Sequence, residues 1–240
     1  MANEADDIAN RTVALSGTWF RLIPSRFPTI NLYERVATGD ERDALTRIEM
    51  LTNPRAREKD IVARGTPIDI ETSPKFQNWN HAPFAYPSPE GTRYLSELYG
   101  ALELFKSRES ALAVAIRKRE AFLSSTDQPR TSLDMRVLQH DFAGEFVDRS
   151  SDPVDMPVAD RRKIGEALRK AGAHGVYYRC PELPHCFAIS IFDREGLGQA
   201  RQAEHYRFLW DGSQISAIYD YRSDSIGTPI LPEDIFAPQL

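Results

Sequence analysis

Cysteine is scarce in this chain: Cys180 and Cys186 are the two among 240 residues. Two are too few for a disulfide framework and fit a reducing compartment. A basic excess is also missing, since 30 Lys and Arg against 35 Asp and Glu leave a net charge of −5 and a pI near 5.6. That balance argues against a general binder of phosphate backbones, which gathers cationic charge on one face, so no direct nucleic-acid binding is expected. No apolar run approaches the roughly 20 residues of a membrane-spanning helix, so no membrane contact is expected. The acidic start, Met1 to Asn10, lacks the charged-then-apolar order of a secretory signal. Internal repeats and low-complexity tracts are absent. The expectation is a cytoplasmic protein with 41% hydrophobic residues, enough for a sizeable core in a single domain.

What is present can be placed in order along the chain. Residues 1–14 are polar and without periodicity, and read as a flexible N-terminal segment; residues 15–240 read as one domain. Thr18 to Ile23 forms a short strand, after which Pro24 and Pro28 enforce an extended course. Asp40 suits the cap of a helix through Leu45, Ile48 and Leu51 that stops near Asn53-Pro54. The proline-rich segment from Arg55 to Pro89, with Trp79, Phe84 and Tyr86, reads as a long ordered loop. Tyr99 to Phe105 is a strand. Ser107 opens a helix to about Leu123, with Leu112, Ala115, Ile116 and Phe122 near one face. Pro157 begins a second helix that Gly172 closes after Leu168. Strands are expected at Gly175 to Arg179, Cys186 to Phe192, His205 to Trp210 and Gln214 to Tyr221, with Asp211-Gly212 as a tight hairpin between the last two.

Four groups of residues share a further pattern: Trp19-Phe20-Arg21-Leu22-Ile23-Pro24 followed by Leu32-Tyr33-Glu34-Arg35-Val36; Leu51-Thr52-Asn53-Pro54-Arg55; Ala82-Pro83-Phe84 leading through Gly91-Thr92-Arg93-Tyr94 to the strand and helix beyond; and Gly175-Val176-Tyr177-Tyr178-Arg179-Cys180 with Ala188-Ile189-Ser190-Ile191-Phe192 and the Trp210-Asp211-Gly212 hairpin. In order and spacing they resemble the RES domain family of NAD-degrading toxins. The resemblance implies an α+β fold, an ADP-ribosyltransferase-like mixed β core flanked by helices. It also implies NAD as substrate or ligand, with glycohydrolase, phosphorylase or ADP-ribosyltransferase activity, and a helix-turn-helix (Xre-type) antitoxin as partner.

By the same resemblance Arg21 and Arg93 match the family's two arginines, and planar guanidinium forks suit a clamp on a dinucleotide pyrophosphate. Tyr94 and Tyr178, in the motifs around them, join them as cofactor-binding candidates. Three family positions are occupied differently: the strand-end tyrosine falls on Glu103, the helix glutamate on Val114 and the serine on Cys180. A carboxylate stabilises the cation-like sugar formed when the nicotinamide–ribose bond breaks, and valine does not. Val114 equally continues an apolar helix face into the core. Glu103 and Cys180 are therefore the catalytic candidates, Glu103 as a relocated acid and Cys180 as a weak hydrogen-bonding partner or a small buried hydrophobe. Cys180, His185 and Cys186 raise a metal reading, but structural zinc generally takes four ligands and the other histidines show no matching spacing, so no metal is expected. Two functions stay open: an NAD-consuming enzyme, and an inactive homologue that binds a dinucleotide or acts in regulation. The sequence leaves a homo-oligomer open.

Overall fold

The centre of the fold is a strand that hydropathy patterning does not announce. In the computed structural model, which describes residues 11–24, 73–221 and 228–237, β3 (Thr131–Asp148) is the longest strand at 18 residues. Met135, Arg136, Val137 and Leu138 are all buried in succession, because both faces of the strand are covered at that point. A strand covered on both sides loses the in-and-out alternation by which strands are usually recognised.

β3 organises its neighbours. β1 (Thr12–Pro24) runs antiparallel to it from the Thr12–Val147 pair to the Pro24–Met135 pair. On its other edge β3 pairs first with β6 (Leu197–Trp210) and then, parallel and only at Val147 and Asp148, with β4 (Gly175–Arg179). β5 (Phe187–Ile191) joins β4 to β2 (Leu102–Phe105), and β7 (Ile215–Asp220) flanks β6. The sheet order is β1-β2-β5-β4-β3-β6-β7, and the extra β1–β3 pairing closes its first five strands into a ring. That ring has a narrow seam, because β1 and β2 meet at Phe20 and Phe105. The result is a mixed α+β single domain with a central sheet flanked by helices.

β1 begins six residues before the expected Thr18, so Thr12 to Ala14 of the expected flexible segment are paired with Val147 to Glu145. Residues 1–10 and the expected Asp40 helix lie outside the described residues. The expected loop from Arg55 to Pro89 also differs: its described part carries a 3-10 turn at Pro74–Phe76 and a helix, α1 (Asn78–Ala85), with Pro83 inside it. Two side-chain amides dock this helix. Gln77 bonds both backbone groups of Ala200, its Nε2 donating to the carbonyl and its Oε1 accepting from the N–H at 2.8 Å each. Asn80 Nδ2 donates to the carbonyls of Pro74 and Gly198, which leaves its Oδ1 to accept from Nδ1 of buried His140 at 2.8 Å.

α2 (Arg108–Ser124) forms where its cap predicts, with Ser107 accepting from the N–H of Ser110 at 3.1 Å. Ala111 through Ile116 are buried without a break. The first half of α2 is wedged between two core clusters: Val114 and Ala111 face Tyr178 and Ala188, while Leu112, Ala115 and Ile116 face Val137 and Trp210. Phe122 is a correction to the expected face, since it stands 46% exposed. α3 (Val158–Lys170) supplies the crossover between the parallel strands β3 and β4. It buries Arg161, Gly165 and Leu168, one turn apart, and Arg161 donates to the carbonyls of Pro153, Val154 and Met156 just before its own helix. A short helix, α4 (Pro232–Phe236), follows β7. None of these helices is long and apolar enough to cross a membrane.

Candidate functional site

A cleft of about 250 Å³ opens beside the seam of the ring. β1 contributes Arg21, β2 contributes Glu103, and α2 contributes Val114, Lys118 and Arg119. Each arrives for a local reason. Arg21 follows Phe20, where β1 touches β2. Glu103 is the one polar side chain of the Leu-Glu-Leu-Phe strand, pointing opposite to buried Leu102 and Leu104. Val114 and Lys118 are one helical turn apart on the face of α2 toward β2.

Gly91 and Thr92, which open the Gly91-Thr92-Arg93-Tyr94 turn, line the rim. Gly91 has φ +67° and its missing side chain leaves room for the guanidinium of Arg162 and the carbonyl of Leu95. Thr92 and Leu95 bond each other reciprocally, and Arg162 of α3 donates to the carbonyls of Glu90 and Thr92. The turn is thereby fixed, and it delivers the Arg93 N–H to Glu103 Oε1 at 3.1 Å.

Glu103 is the hub. Its Oε1 also accepts from the Tyr178 hydroxyl at 3.2 Å, and its Oε2 pairs with Lys118 Nζ at 2.7 Å. Burial alone would raise the pKa of this carboxyl, but the Lys118 ammonium, the Arg93 N–H and the Arg93 charge outweigh it and hold the group down at about 2. Glu103 is therefore a carboxylate at any physiological pH. Burial lowers the Arg21 guanidinium to about 10, offset in part by Glu103. Burial and the nearby Arg21 charge also hold His140 neutral, at about 3. Burial and the Glu103 charge push the Tyr178 phenol well up, so it stays a donor.

This arrangement makes stability acid-sensitive. The folded pKa of Glu103 lies below the ordinary 4.5, so its contribution is complete above pH 4.5 and is lost as the pH falls toward 2. With the side chain only 12% exposed, the contribution is on the order of 3 kcal/mol. Urea midpoints measured from pH 6 to pH 2 are expected to fall more steeply for the parent than for Glu103→Gln below pH 4.5. Parallel profiles would contradict the assignment.

The other expected site residues lie around this hub in different ways. The Arg93 guanidinium is not among the described groups lining the cleft: it pairs with Glu182 at 2.6 Å and lies 6.0 Å from the Tyr178 ring centre. Its charge is strengthened by that surrounding, where Tyr178, Glu182 and Glu103 together outweigh burial. Tyr94 is wholly buried and packs on Tyr178 with ring centres 5.0 Å apart. Tyr178 is likewise not among the described residues lining the cleft, and its hydroxyl donates to Glu103 Oε1. Cys180 is 2% exposed and packs in the core cluster that holds Tyr94 and Tyr178. Its hydrogen bond with Cys186, together with burial, pushes its thiol up while that of Cys186 moves down. Sequence reasoning missed Lys118 and Glu182. Lys118 carries a readable signal, four residues after Val114 on a helix facing a strand carboxylate; Glu182 carries none.

The RES domain family is matched over residues 69–211. The uncharacterized protein y4oC of Sinorhizobium fredii is 39% identical over 224 residues, spanning 92% of this chain and 94% of its own. The chain belongs to the RES domain family. The family match holds α1, the Gly91–Tyr94 turn, Glu103, Val114 and Cys180, and begins after the strand that carries Arg21. Similarity to y4oC covers most of the chain beyond that match. Among solved structures, the Mycobacterium tuberculosis MbcT-MbcA toxin-antitoxin complex is similar at 12% identity and a TM-score of 0.43, over 83% of this chain and 91% of that one.

Proposed function

We propose that this RES protein binds NAD in the cleft beside the seam and cleaves its nicotinamide–ribose bond slowly, with Glu103 as the carboxylate that faces the reacting sugar. The observation that carries this reading is an ionised, buried carboxylate sharing one cleft with three cations, Arg21, Lys118 and Arg119. Bond breaking leaves positive charge on the sugar, which Glu103 stabilises; the guanidinium and ammonium groups suit the pyrophosphate. The cleft falls just below the usual size range for ligand pockets. It suits the nicotinamide ribose and a phosphate, with the adenosine half across the rim, where Tyr86 is 45% exposed and lines the opening.

Two features slow the reaction in this reading. Glu103 already holds Lys118, which cancels part of its field. Val114, where the family resemblance places a glutamate, presents an apolar wall to the cleft. A second reading follows from the same pair of observations: an inactive homologue that keeps the dinucleotide site for binding or regulation. Family membership also supports an Xre-type helix-turn-helix antitoxin as partner, and two buried free cysteines suit a cytoplasmic setting.

Nicotinamide release from NAD by the purified chain, measured beside Glu103→Gln, tests the reading. Release is expected from the parent, and a fall of about 100-fold in the variant at unchanged NAD affinity. NAD binding without release by either protein selects the binding reading. Release that Glu103→Gln leaves unchanged removes Glu103 from the chemistry.

A further inference from the structure

Beside Arg93, which pairs with Glu182, the turn from β4 to β5 brings three ligand-type side chains together. The Sγ atoms of Cys180 and Cys186 and a carboxylate oxygen of Glu182 all lie within 4.8 Å of one another. We propose that this turn is a binding site for a thiophilic divalent cation of the zinc class, with Cys180, Cys186 and Glu182 as its protein ligands. The proposal does not rest on the NAD reading.

Three observations support it. First, the two thiols are 2% and 1% exposed and are not joined in a disulfide, so both sulfurs are held ready in a dry place. Second, the two Glu182 oxygens are used unequally. Oε1 takes the Arg93 guanidinium at 2.6 Å, while Oε2 is buried and has no hydrogen-bond partner among the described residues. A buried carboxylate oxygen left unbonded is costly, and an unexplained one points to a missing partner. Third, the backbone is already shaped. The Cys180 N–H donates to the Cys186 carbonyl at 2.8 Å and the Cys186 N–H to the Leu183 carbonyl at 3.2 Å, while Pro181 and Pro184 restrict the chain between them.

The chemistry closes. Zinc–thiolate bonds of about 2.3 Å and zinc–carboxylate bonds of about 2.1 Å put tetrahedral ligands roughly 3.5 to 4 Å apart, so the site must contract by at most about 1.3 Å. On binding, two S–H bonds break, their protons pass to solvent, and two sulfur–metal bonds and one oxygen–metal bond form; no electron is transferred. Two thiolates and a carboxylate bring three negative charges, which two on the cation and one on Arg93 match. Three protein ligands leave a fourth position for water. Arg93 would then hold Glu182 as an outer partner, so the metal turn and the Glu103 hub would be linked through one residue.

The test uses the full chain, stripped with chelator and held under a phosphine reductant, titrated with Co²⁺ and then Zn²⁺. The expected result is one Co²⁺ per chain with thiolate-to-cobalt charge-transfer absorption and the visible bands of a tetrahedral ion, displaced by Zn²⁺, with two protons released per metal. Zn²⁺ should also protect both thiols from alkylation, a readout that needs no variant. Glu182→Gln, which preserves shape, should weaken binding at least about 10-fold, and Cys180→Ser with Cys186→Ser should abolish it. No cobalt–thiolate absorption at sub-millimolar metal, or thiols that alkylate equally with and without Zn²⁺, would overturn the proposal. So would absorption that survives in a folded double-serine variant.

Discussion

Val114→Glu is expected to raise nicotinamide release from NAD by about two to three orders of magnitude, the range typical for one well-placed electrostatic group. Val114 is 2% exposed and lines the same cleft as Glu103, Arg21 and Lys118. A carboxylate there stands four residues before Lys118 on α2, in the order that favours an ion pair on a helix. Lys118 would then be shared between two acids, and Glu103 would be freer to face the developing charge on the sugar. The same change takes a charge into a core position, so some stability is lost. A circular-dichroism melt should accompany the assay so that rate is compared between folded proteins. An unchanged rate in a folded, NAD-binding variant would show that the missing carboxylate is not what limits this chain.

Gly165→Ala is expected to be the most damaging single-methyl addition in the helices. A Cβ at this position of α3 would lie 1.9 Å from the Tyr94 carbonyl oxygen and 2.8 Å from the Tyr94 carbonyl carbon. Backbone cannot swing aside as a flexible side chain does, so the helix must lift off the Tyr94 turn. Lifting it would loosen Leu168 and Ile164, which pack in the cluster containing Tyr178 and Val114. It would also pull Arg162 from the Glu90 and Thr92 carbonyls. The cost should reach the upper end for overpacking, about 3 kcal/mol, or a drop in Tm of roughly 6 to 12 °C for a chain of this size. Because the Arg93 N–H to Glu103 is delivered by the same turn, NAD affinity should fall with it. A Tm within 2 °C of the parent would mean that α3 does not clamp the turn.

How much of this was legible in the sequence varied with how local its cause was. The Ser107 cap, the Pro157 and Gly172 ends of α3 and the Asp211-Gly212 turn each rest on chemistry within a few residues, and each formed as read. The Asp211 carboxylate accepts the N–H groups of Ser213 and Gln214, and Gly212 takes φ +103°. β3 was not legible, because its buried Arg136 and His140 make sense only once β1, β6 and α1 cover them. α1 was hidden by Pro83 and by amides whose partners lie 118 and 123 residues away. At the site, Glu103 could be named from the family resemblance, but its three hydrogen-bond partners, Arg93, Tyr178 and Lys118, could not. The partner of Arg93 is Glu182, 89 residues on, and no spacing rule connects them.

The amides that dock α1 have one more effect. Ala200 and Gly198 lie in the first half of β6, upstream of the residues that pair with β7. Their outward N–H and C=O groups would be a ready template for a strand from another molecule. Gln77 occupies the Ala200 pair as a backbone unit would, and Asn80 takes the Gly198 carbonyl. Two side chains thus imitate a missing neighbouring strand and blunt this edge against open-ended self-assembly, without lengthening the sheet.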